Sequence, residues 1–258
     1  MIDLHAYPHQ TITITNRHGL DVFIRFNGEV NGRPLALLAH GLSDAHDSDA
    51  LRAITSALIE TGHNVLVWDA THSTNRSGGT LRQATVTAAY QDMADVAAWA
   101  AAQPWYHDRF VLAGHSMGAA AALMLASAEP KLISRLILIA PLVSGKLAAK
   151  RINFAVRWLW RVSRRLPLPD GSRNVLGYNL LRDGLNYDGQ LLAANLEVST
   201  VIIVGDDDKT TPSRESKLLF DVMAPQWRHL VIIPGANHVF GASLADLETA
   251  AKTAIWLV

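Results

Sequence analysis

The chain has 258 residues, of which 49% are hydrophobic and 18% charged, and none is cysteine. These apolar residues suffice for one sizeable core, and the missing thiols exclude disulfides and cysteine-based metal sites. The 23 basic and 23 acidic residues cancel, which argues against the basic surface of a nucleic-acid-binding protein. The first ten residues lack the pattern of a signal peptide, and no apolar run reaches the roughly 18 residues of a membrane span. We therefore expect a soluble, cytoplasmic protein.

The chain begins with two alternating stretches, residues 11–15 and 21–26, which predict an antiparallel hairpin. Short continuous apolar runs follow, and such runs are typical of parallel strands buried on both faces. These runs are residues 35–39, 64–68, 110–113, 136–140, 201–204 and 230–233. Segments with helical periodicity are residues 50–61, 85–103, 117–128, 213–222 and 243–257. The alternation predicts one α/β domain over residues 1–258, with a mostly parallel central sheet and helices on both faces.

Residues 144–198 interrupt this alternation and are too long for a single crossover. We call them the inserted segment. It has nine basic and four acidic residues. Its first part, residues 146–166, predicts one helix that Pro167 and Pro169 terminate. We interpret the segment as a helical lid over the ligand-binding edge of the sheet. Its arginines form either a solvated outer face or a surface that attracts anionic substrates or anionic lipid. The side chains expected to line the site are Phe154, Trp158, Leu159 and Tyr178.

The sequence Gly114-His115-Ser116-Met117-Gly118 lies between a predicted strand and a predicted helix. In such a G-x-S-x-G turn the glycines allow a close approach of backbone segments, and the serine hydroxyl is exposed at the carboxyl edge of the sheet. The helix amino terminus favours negative charge developing there. We predict that Ser116 is a nucleophile.

A serine nucleophile needs a base, and the base needs an acid to orient it. His238 follows the last apolar run and is therefore expected at the same sheet edge as Ser116. Asp206, Asp207 and Asp208 follow the run at 201–204, and spacing alone leaves open which of them is the acid. The remaining two are expected to be solvated loop residues.

Four motifs together resemble the α/β-hydrolase superfamily: GHSMG at 114–118, HG at 40–41, GDDDKTTP at 205–212 and PGANH at 234–238. They are most similar to serine esterases and lipases of the cinnamoyl/feruloyl-esterase and monoacylglycerol-lipase kind. The resemblance covers nearly the whole chain. Its G-x-x-D pattern implies that Asp208 is the acid, and Asp207 is the second candidate. It also implies an oxyanion hole built by the main-chain N–H groups of Met117 and Leu42.

Two further residues are expected to have structural roles. His40 should brace the loop after the first parallel strand by hydrogen bonds. Asp69 begins a stretch, residues 69–79, that departs in spacing from the D-x-R-G-x-G-x-S pattern of many relatives.

The function that these residues predict is hydrolysis of a small-molecule carboxylic ester through an acyl-enzyme, with no cofactor and no metal. Thioesterases, C–C-bond hydrolases and cofactor-free haloperoxidases use the same triad and remain alternatives. A non-catalytic binding protein on this fold is a further alternative. We expect no nucleic-acid partner, no stable membrane insertion, and a monomer or small homo-oligomer.

Overall fold

The computed structural model describes residues 3–4, 6–29, 32–106, 108–168 and 172–257. Its centre is an eight-stranded sheet with the strand order β1-β2-β4-β3-β5-β6-β9-β10. The strands are β1 (His9–Thr15), β2 (Asp21–Asn27), β3 (Leu35–Ala39), β4 (Asn64–Trp68), β5 (Phe110–His115), β6 (Ile133–Ile139), β9 (Thr200–Gly205) and β10 (Arg228–Ile233). Strand β2 pairs antiparallel with both β1 and β4. The pairs from β4 to β10 are parallel.

Helices cover both faces of this sheet, which confirms the predicted fold class. They are α1 (Asp49–Glu60), α2 (Val86–Ala101), α3 (Met117–Ala128), α8 (Ser213–Val222) and α9 (Leu244–Ala254). Helices α1 and α9 pack on one face, and α2, α3 and α8 pack on the other. Strand β3 illustrates why its sequence is continuously apolar: Leu37 points into one core and Leu38 into the other.

The predicted hairpin and all six predicted parallel strands are present, and the differences are confined to their ends. Strand β6 begins at Ile133, three residues before the predicted start. Its first three residues include the polar Ser134 and Arg135; Arg135 pairs with Val111, and Ser134 lies at a shift of the register. A search for apolar runs misses such residues because backbone hydrogen bonds, and not side-chain burial, hold them in the sheet.

The inserted segment lies between β6 and β9, and its predicted long helix is wrong. Two helices, α4 (Gly145–Arg151) and α5 (Phe154–Ser163), replace it. The chain is extended at Ile152, and the Asn153 side chain accepts a hydrogen bond from the N–H of Ala155 and starts the second helix. Helix α5 ends because Arg164 adopts a left-handed conformation with φ 60°.

Pro167 therefore does not terminate a helix. It lies in β7 (Arg165–Pro167), which pairs antiparallel with β8 (Val175–Gly177). Pro169 lies outside the described residues. Helices α6 (Tyr178–Gly184) and α7 (Gly189–Ala193) complete the segment. Of the helices in the described part of the chain, none is long and apolar enough to cross a bilayer.

Candidate active site

Ser116 occupies a strained turn between β5 and α3. Its backbone has φ 56° and ψ −114°, a conformation that side-chain-bearing residues rarely adopt. The Ser116 N–H donates a hydrogen bond of 2.9 Å to the main-chain oxygen of Ile139 on the neighbouring strand. The turn is thus fixed to the sheet, and backbone strain of this kind is common at functional sites.

The two glycines of the turn are required by backbone packing. A Cβ atom on Gly114 would lie 2.3 Å from the main-chain oxygen of Gly118. A Cβ atom on Gly118 would lie 2.5 Å from the main-chain oxygen of His40. Both contacts involve backbone, which cannot move aside as a flexible side chain can. Glycine at these positions therefore lets β5, α3 and the loop after β3 converge beneath Ser116.

The three residues of the predicted triad form one chain of hydrogen bonds. His238 Nε2 lies 3.0 Å from Ser116 Oγ, and His238 Nδ1 lies 2.8 Å from Asp208 Oδ2. These residues come from the carboxyl ends of β5, β9 and β10, which meet at one edge of the sheet. The His238 Nδ1–H donates to the carboxylate, which leaves Nε2 facing the serine hydroxyl. The arrangement can accept the proton of Ser116.

Asp208 is buried and held by several hydrogen bonds. Its Oδ1 accepts from the N–H groups of Thr210 and Thr211, each at 2.8 Å. Burial by itself raises the pKa of a carboxyl, but the hydrogen bonds from His238 and Thr211 outweigh it and hold the pKa of Asp208 below its ordinary value. Asp208 is therefore ionised and able to orient the imidazole.

Thr211 is a residue of this site that the sequence did not identify. Its Oγ1 lies 2.8 Å from Asp208 Oδ2, 2.9 Å from the main-chain oxygen of Ala140 and 3.1 Å from His238 Nδ1. The available signal was its spacing, since an aspartate often binds the N–H three residues later in a turn. The hydroxyl contact with His238 depends on tertiary packing.

The other two aspartates differ from each other. Asp207 is exposed and forms an ion pair with Lys209 at 2.5 Å, as expected of a solvated loop residue. Asp206 is also exposed, but its Oδ1 accepts a hydrogen bond of 2.6 Å from the N–H of Gly235. This bond links the loop that carries the aspartates to the loop that carries His238. Asp206 therefore has a bracing contact that the sequence did not predict.

The two residues predicted to supply oxyanion donors are next to Ser116. Leu42 and Met117 both line the cavity that contains Ser116 and His238. A Cβ atom on Gly41 would lie 3.1 Å from Ser116 Cβ, so the loop after β3 is in contact with the serine. Within the described part of the chain, neither the Leu42 nor the Met117 N–H has a hydrogen-bond partner. Both groups can therefore donate to a substrate oxygen.

His40 has the bracing contacts expected from the sequence. Its Nε2 accepts a hydrogen bond of 2.8 Å from the N–H of Ala70, and its Nδ1–H donates to the main-chain oxygen of Gly41 at 2.6 Å. The ring is buried, and burial lowers the pKa of His40. A neutral His40 thus joins the loop after β3 to the loop after β4.

Asp69 stabilises the stretch whose spacing departs from that of many relatives. Its carboxylate accepts from the main-chain N–H and the ring Nδ1 of His46 and from the N–H of Arg76. Asp69 is buried and follows β4, whereas His46, 23 residues earlier in the sequence, follows β3. These contacts therefore hold the loop after β4 against the loop after β3.

The cavity above Ser116 has a volume of about 330 Å³ and is mainly apolar. The inserted segment forms much of its wall, through Gly145, Ala148, Ala149, Arg151, Ile152, Trp160, Leu180, Leu181 and Gly184. The predicted lining residues are therefore wrong: Phe154, Trp158 and Leu159 are largely exposed on the outer side of α5. Helical periodicity identified an apolar stripe, but it could not show which side of α5 faces the protein.

The comparisons with known proteins identify the family and agree with the fold. A family model described as serine aminopeptidase, S33 (Hydrolase_4) matches residues 31–188. No curated protein has a sequence that matches this chain significantly. Esterase Est1E from Butyrivibrio proteoclasticus, solved with ferulic acid bound, is 20% identical with a TM-score of 0.84, over 95% of this chain and 98% of that one.

Two other similar structures have different origins. A putative hydrolase from Agrobacterium vitis is 16% identical with a TM-score of 0.80, over 96% of this chain and 99% of that one. The α/β-hydrolase domain-containing protein 10 from mouse is 15% identical with a TM-score of 0.76, over 95% and 98%. These likenesses show the fold, and the family model covers more than half of the chain. The chain therefore belongs to the Hydrolase_4 (serine aminopeptidase, S33) family of α/β-hydrolases.

Proposed function

We propose that this protein is a serine hydrolase that cleaves carboxylic esters through an acyl-enzyme intermediate. The observation that carries the proposal is the hydrogen-bond chain from Ser116 through His238 to the buried Asp208, at the base of an apolar cavity. Such a chain activates a hydroxyl that is otherwise a poor nucleophile.

The proposed reaction has two steps. Ser116 Oγ attacks the acyl carbon while His238 Nε2 accepts its proton, and His238 then returns the proton to the leaving alcohol. Water, deprotonated by His238, attacks the acyl-serine and releases the acid. Asp208 keeps the Nδ1–H of His238 directed at its carboxylate and stabilises the imidazolium.

The oxyanion that forms in each step needs hydrogen-bond donors. We assign this role to the N–H groups of Leu42 and Met117, because neither has a partner among the described groups and both border the cavity beside Ser116. Such preorganised donors are each worth roughly 3 kcal/mol of the activation barrier.

The size and the apolar lining of the cavity favour a substrate with an apolar acyl or aromatic group of modest size. Its volume of about 330 Å³ is near the lower end of the range for small-molecule sites. Ferulic acid, which is bound in the structure of Est1E, is an aromatic acid of this class. Hydroxycinnamate esters and short-chain esters are therefore the first substrates to test.

The family description raises aminopeptidase activity as a second candidate, and the cavity argues against it. An aminopeptidase must bind the substrate's ammonium group, which calls for a carboxylate near the nucleophile. Of the described residues that line the cavity, none has a carboxylate, and the Glu215 carboxylate next to it is already paired with Arg151. An uncharged ester fits these surroundings better than a free amine.

The proposal is tested with p-nitrophenyl esters of graded chain length, methyl ferulate and an aminoacyl p-nitroanilide, on the wild type and Ser116→Ala. We expect ester turnover by the wild type, none by Ser116→Ala, and unchanged thermal unfolding of the variant. A fluorophosphonate should label Ser116, as mapped by mass spectrometry of the digest. Labelling of another serine, or ester turnover that survives in Ser116→Ala, would overturn the assignment.

A further inference from the structure

The outer surface of α5 bears a row of large apolar side chains that no other part of the described chain covers. We call Phe154, Trp158, Leu159 and Val162 the α5 ridge, and they are 74%, 58%, 58% and 60% exposed. Phe154, Trp158 and Val162 are spaced four residues apart and so lie along one side of the helix. The opposite side is anchored, since Trp160 is buried and its Nε1 donates to the main-chain oxygen of Leu176 at 3.1 Å. The ridge therefore faces outward on a fixed helix.

The residues around the ridge have a strong positive charge. Residues 145–168 include seven basic side chains and no acidic one. In the described part of the chain, only Arg151 of these seven has a carboxylate partner, Glu215. Arg161 on α5 and Arg165 at the start of β7 are both exposed and lie close to the ridge in sequence. The Nε atom of Arg157 is buried and has no hydrogen-bond partner among the described groups. Apolar and cationic groups thus share one surface.

A groove of about 250 Å³ lies between these side chains, next to the candidate active site. Its lining includes Phe154 and Trp158 of the ridge, Arg157 and Arg161, and Tyr178. The groove shares two wall residues, Ala149 and Leu181, with the cavity above Ser116. The outer groove and the inner cavity are therefore back to back across a thin wall of small and aliphatic side chains.

From this surface we propose that the α5 ridge and its arginines dock the protein on an anionic lipid bilayer. Exposed Trp, Phe and aliphatic side chains beside Arg are the composition of helices that lie in a membrane interface. Basic side chains near an anionic leaflet add electrostatic attraction. This is peripheral binding, which needs no membrane-spanning helix. This docking role does not depend on an ester being the substrate.

A second copy of the chain fits this surface less well. A two-fold interface through the ridge brings Arg161 and Arg165 of both copies together, and the described residues of the segment 145–168 offer no carboxylate to pair with them. An anionic bilayer supplies the missing negative charge and an apolar interior for the ridge.

The test is co-sedimentation of the full chain with phosphatidylcholine vesicles, with and without about one-third phosphatidylserine. We expect binding only to the anionic vesicles and at least tenfold weaker binding when NaCl is raised from about 0.1 M to about 0.5 M. Phe154→Ser/Trp158→Ser should bind at least tenfold more weakly than the wild type. Trp256→Ser is the matched control, because Trp256 is 71% exposed but lies outside the inserted segment.

A second pair of variants tests the charge. Arg161→Glu/Arg165→Glu should also lose at least tenfold in binding, whereas Lys131→Glu/Lys217→Glu, with the same change of charge elsewhere, should bind within about twofold of the wild type. Circular dichroism and Tm check that all variants are folded.

Several results would overturn the proposal. They are equal binding to neutral vesicles, unchanged binding of either the ridge variant or the arginine variant, or equal losses in the control variants. A dimer in sedimentation that Phe154→Ser/Trp158→Ser dissociates, without vesicle binding by the wild type, would identify a second copy as the occupant. Binding of inorganic phosphate without binding of vesicles would identify a soluble anion site instead.

Discussion

The buried His115 Nε2–H donates a hydrogen bond of 2.9 Å to the main-chain oxygen of His238. The two rings are also in contact, with centroids 5.0 Å apart. His115 is the residue before Ser116, so one turn of chain touches both the proposed nucleophile and the backbone of its base. The loop that carries His238 is therefore held in place by the same strand end that carries Ser116.

This contact predicts a kinetic effect. His115→Phe keeps a ring but removes the donor, and losing one such hydrogen bond should lower kcat for a small p-nitrophenyl ester roughly five- to tenfold. KM should change little, because His115 does not line the cavity. His115→Gln keeps an N–H donor and should recover part of the loss. Equal kcat values for Phe and Gln variants would mean that the hydrogen bond does not position His238.

The same residue predicts how stability depends on pH. Burial, and next the proximity of His238, lower the pKa of His115 to about 4, although the carboxylates of Asp44 and Asp208 act in the opposite direction. Between about pH 6.5 and 4 the unfolded chain binds a proton at His115 and the folded chain does not, so stability falls as the pH is lowered through this window. The lowered pKa of His115 corresponds to a loss of about 3 kcal/mol in the free energy of unfolding across this window.

Urea unfolding of the wild type and His115→Gln at a series of pH values measures this contribution. The variant should lose less stability than the wild type between about pH 6.5 and 4. His9→Gln, on the exposed edge strand β1, is the control and should follow the wild type. Parallel curves for all three proteins would show that His115 is not a neutral buried group.

The three aspartates after β9 should differ sharply in their effect on turnover. Asp208→Asn should lower kcat by roughly 10⁴-fold, because an amide cannot stabilise the imidazolium or hold the same tautomer of His238. Asp207→Asn should be nearly silent, since its side chain is exposed and paired only with Lys209. Asp206→Asn should have an intermediate effect through the loop contact with Gly235. Steady-state kinetics on p-nitrophenyl butyrate measure this ranking, and a larger loss in Asp207→Asn than in Asp208→Asn would contradict the assignment of the acid.

Substrate selectivity should respond to the inner side of the inserted segment and not to its outer side. Ile152→Ala enlarges the cavity and should raise kcat/KM for longer acyl chains relative to acetate by roughly tenfold. Trp158→Ala, on the outer side of α5, should leave the chain-length profile for soluble monomeric esters unchanged. A profile that changes with Trp158 and not with Ile152 would contradict the observed orientation of α5.

The elements that the sequence predicted best are those whose signal is local. Strands β3 and β4 and helices α3 and α8 have the predicted bounds. The continuous apolar runs reflect strands that are buried on both faces, and the helical periodicity reflects helices that bury one side. Ser116 and His238 could be placed at one sheet edge because the carboxyl ends of parallel strands meet there. The glycines beside Ser116 identified the turn, because the G-x-S-x-G pattern lies within five consecutive residues.

Tertiary structure alone decided what depends on the meeting of distant segments. Spacing did not distinguish Asp206, Asp207 and Asp208, and the family resemblance implied Asp208; the physical distinction is the burial of Asp208 and its contacts with Thr211 and His238. The break at Asn153 and the rotation of α5 decided that Trp160 lines the cavity while Trp158 faces outward. Side-chain direction in an amphipathic helix follows from what the helix packs against, and that partner is specified by the whole fold and not by the helix's own residues.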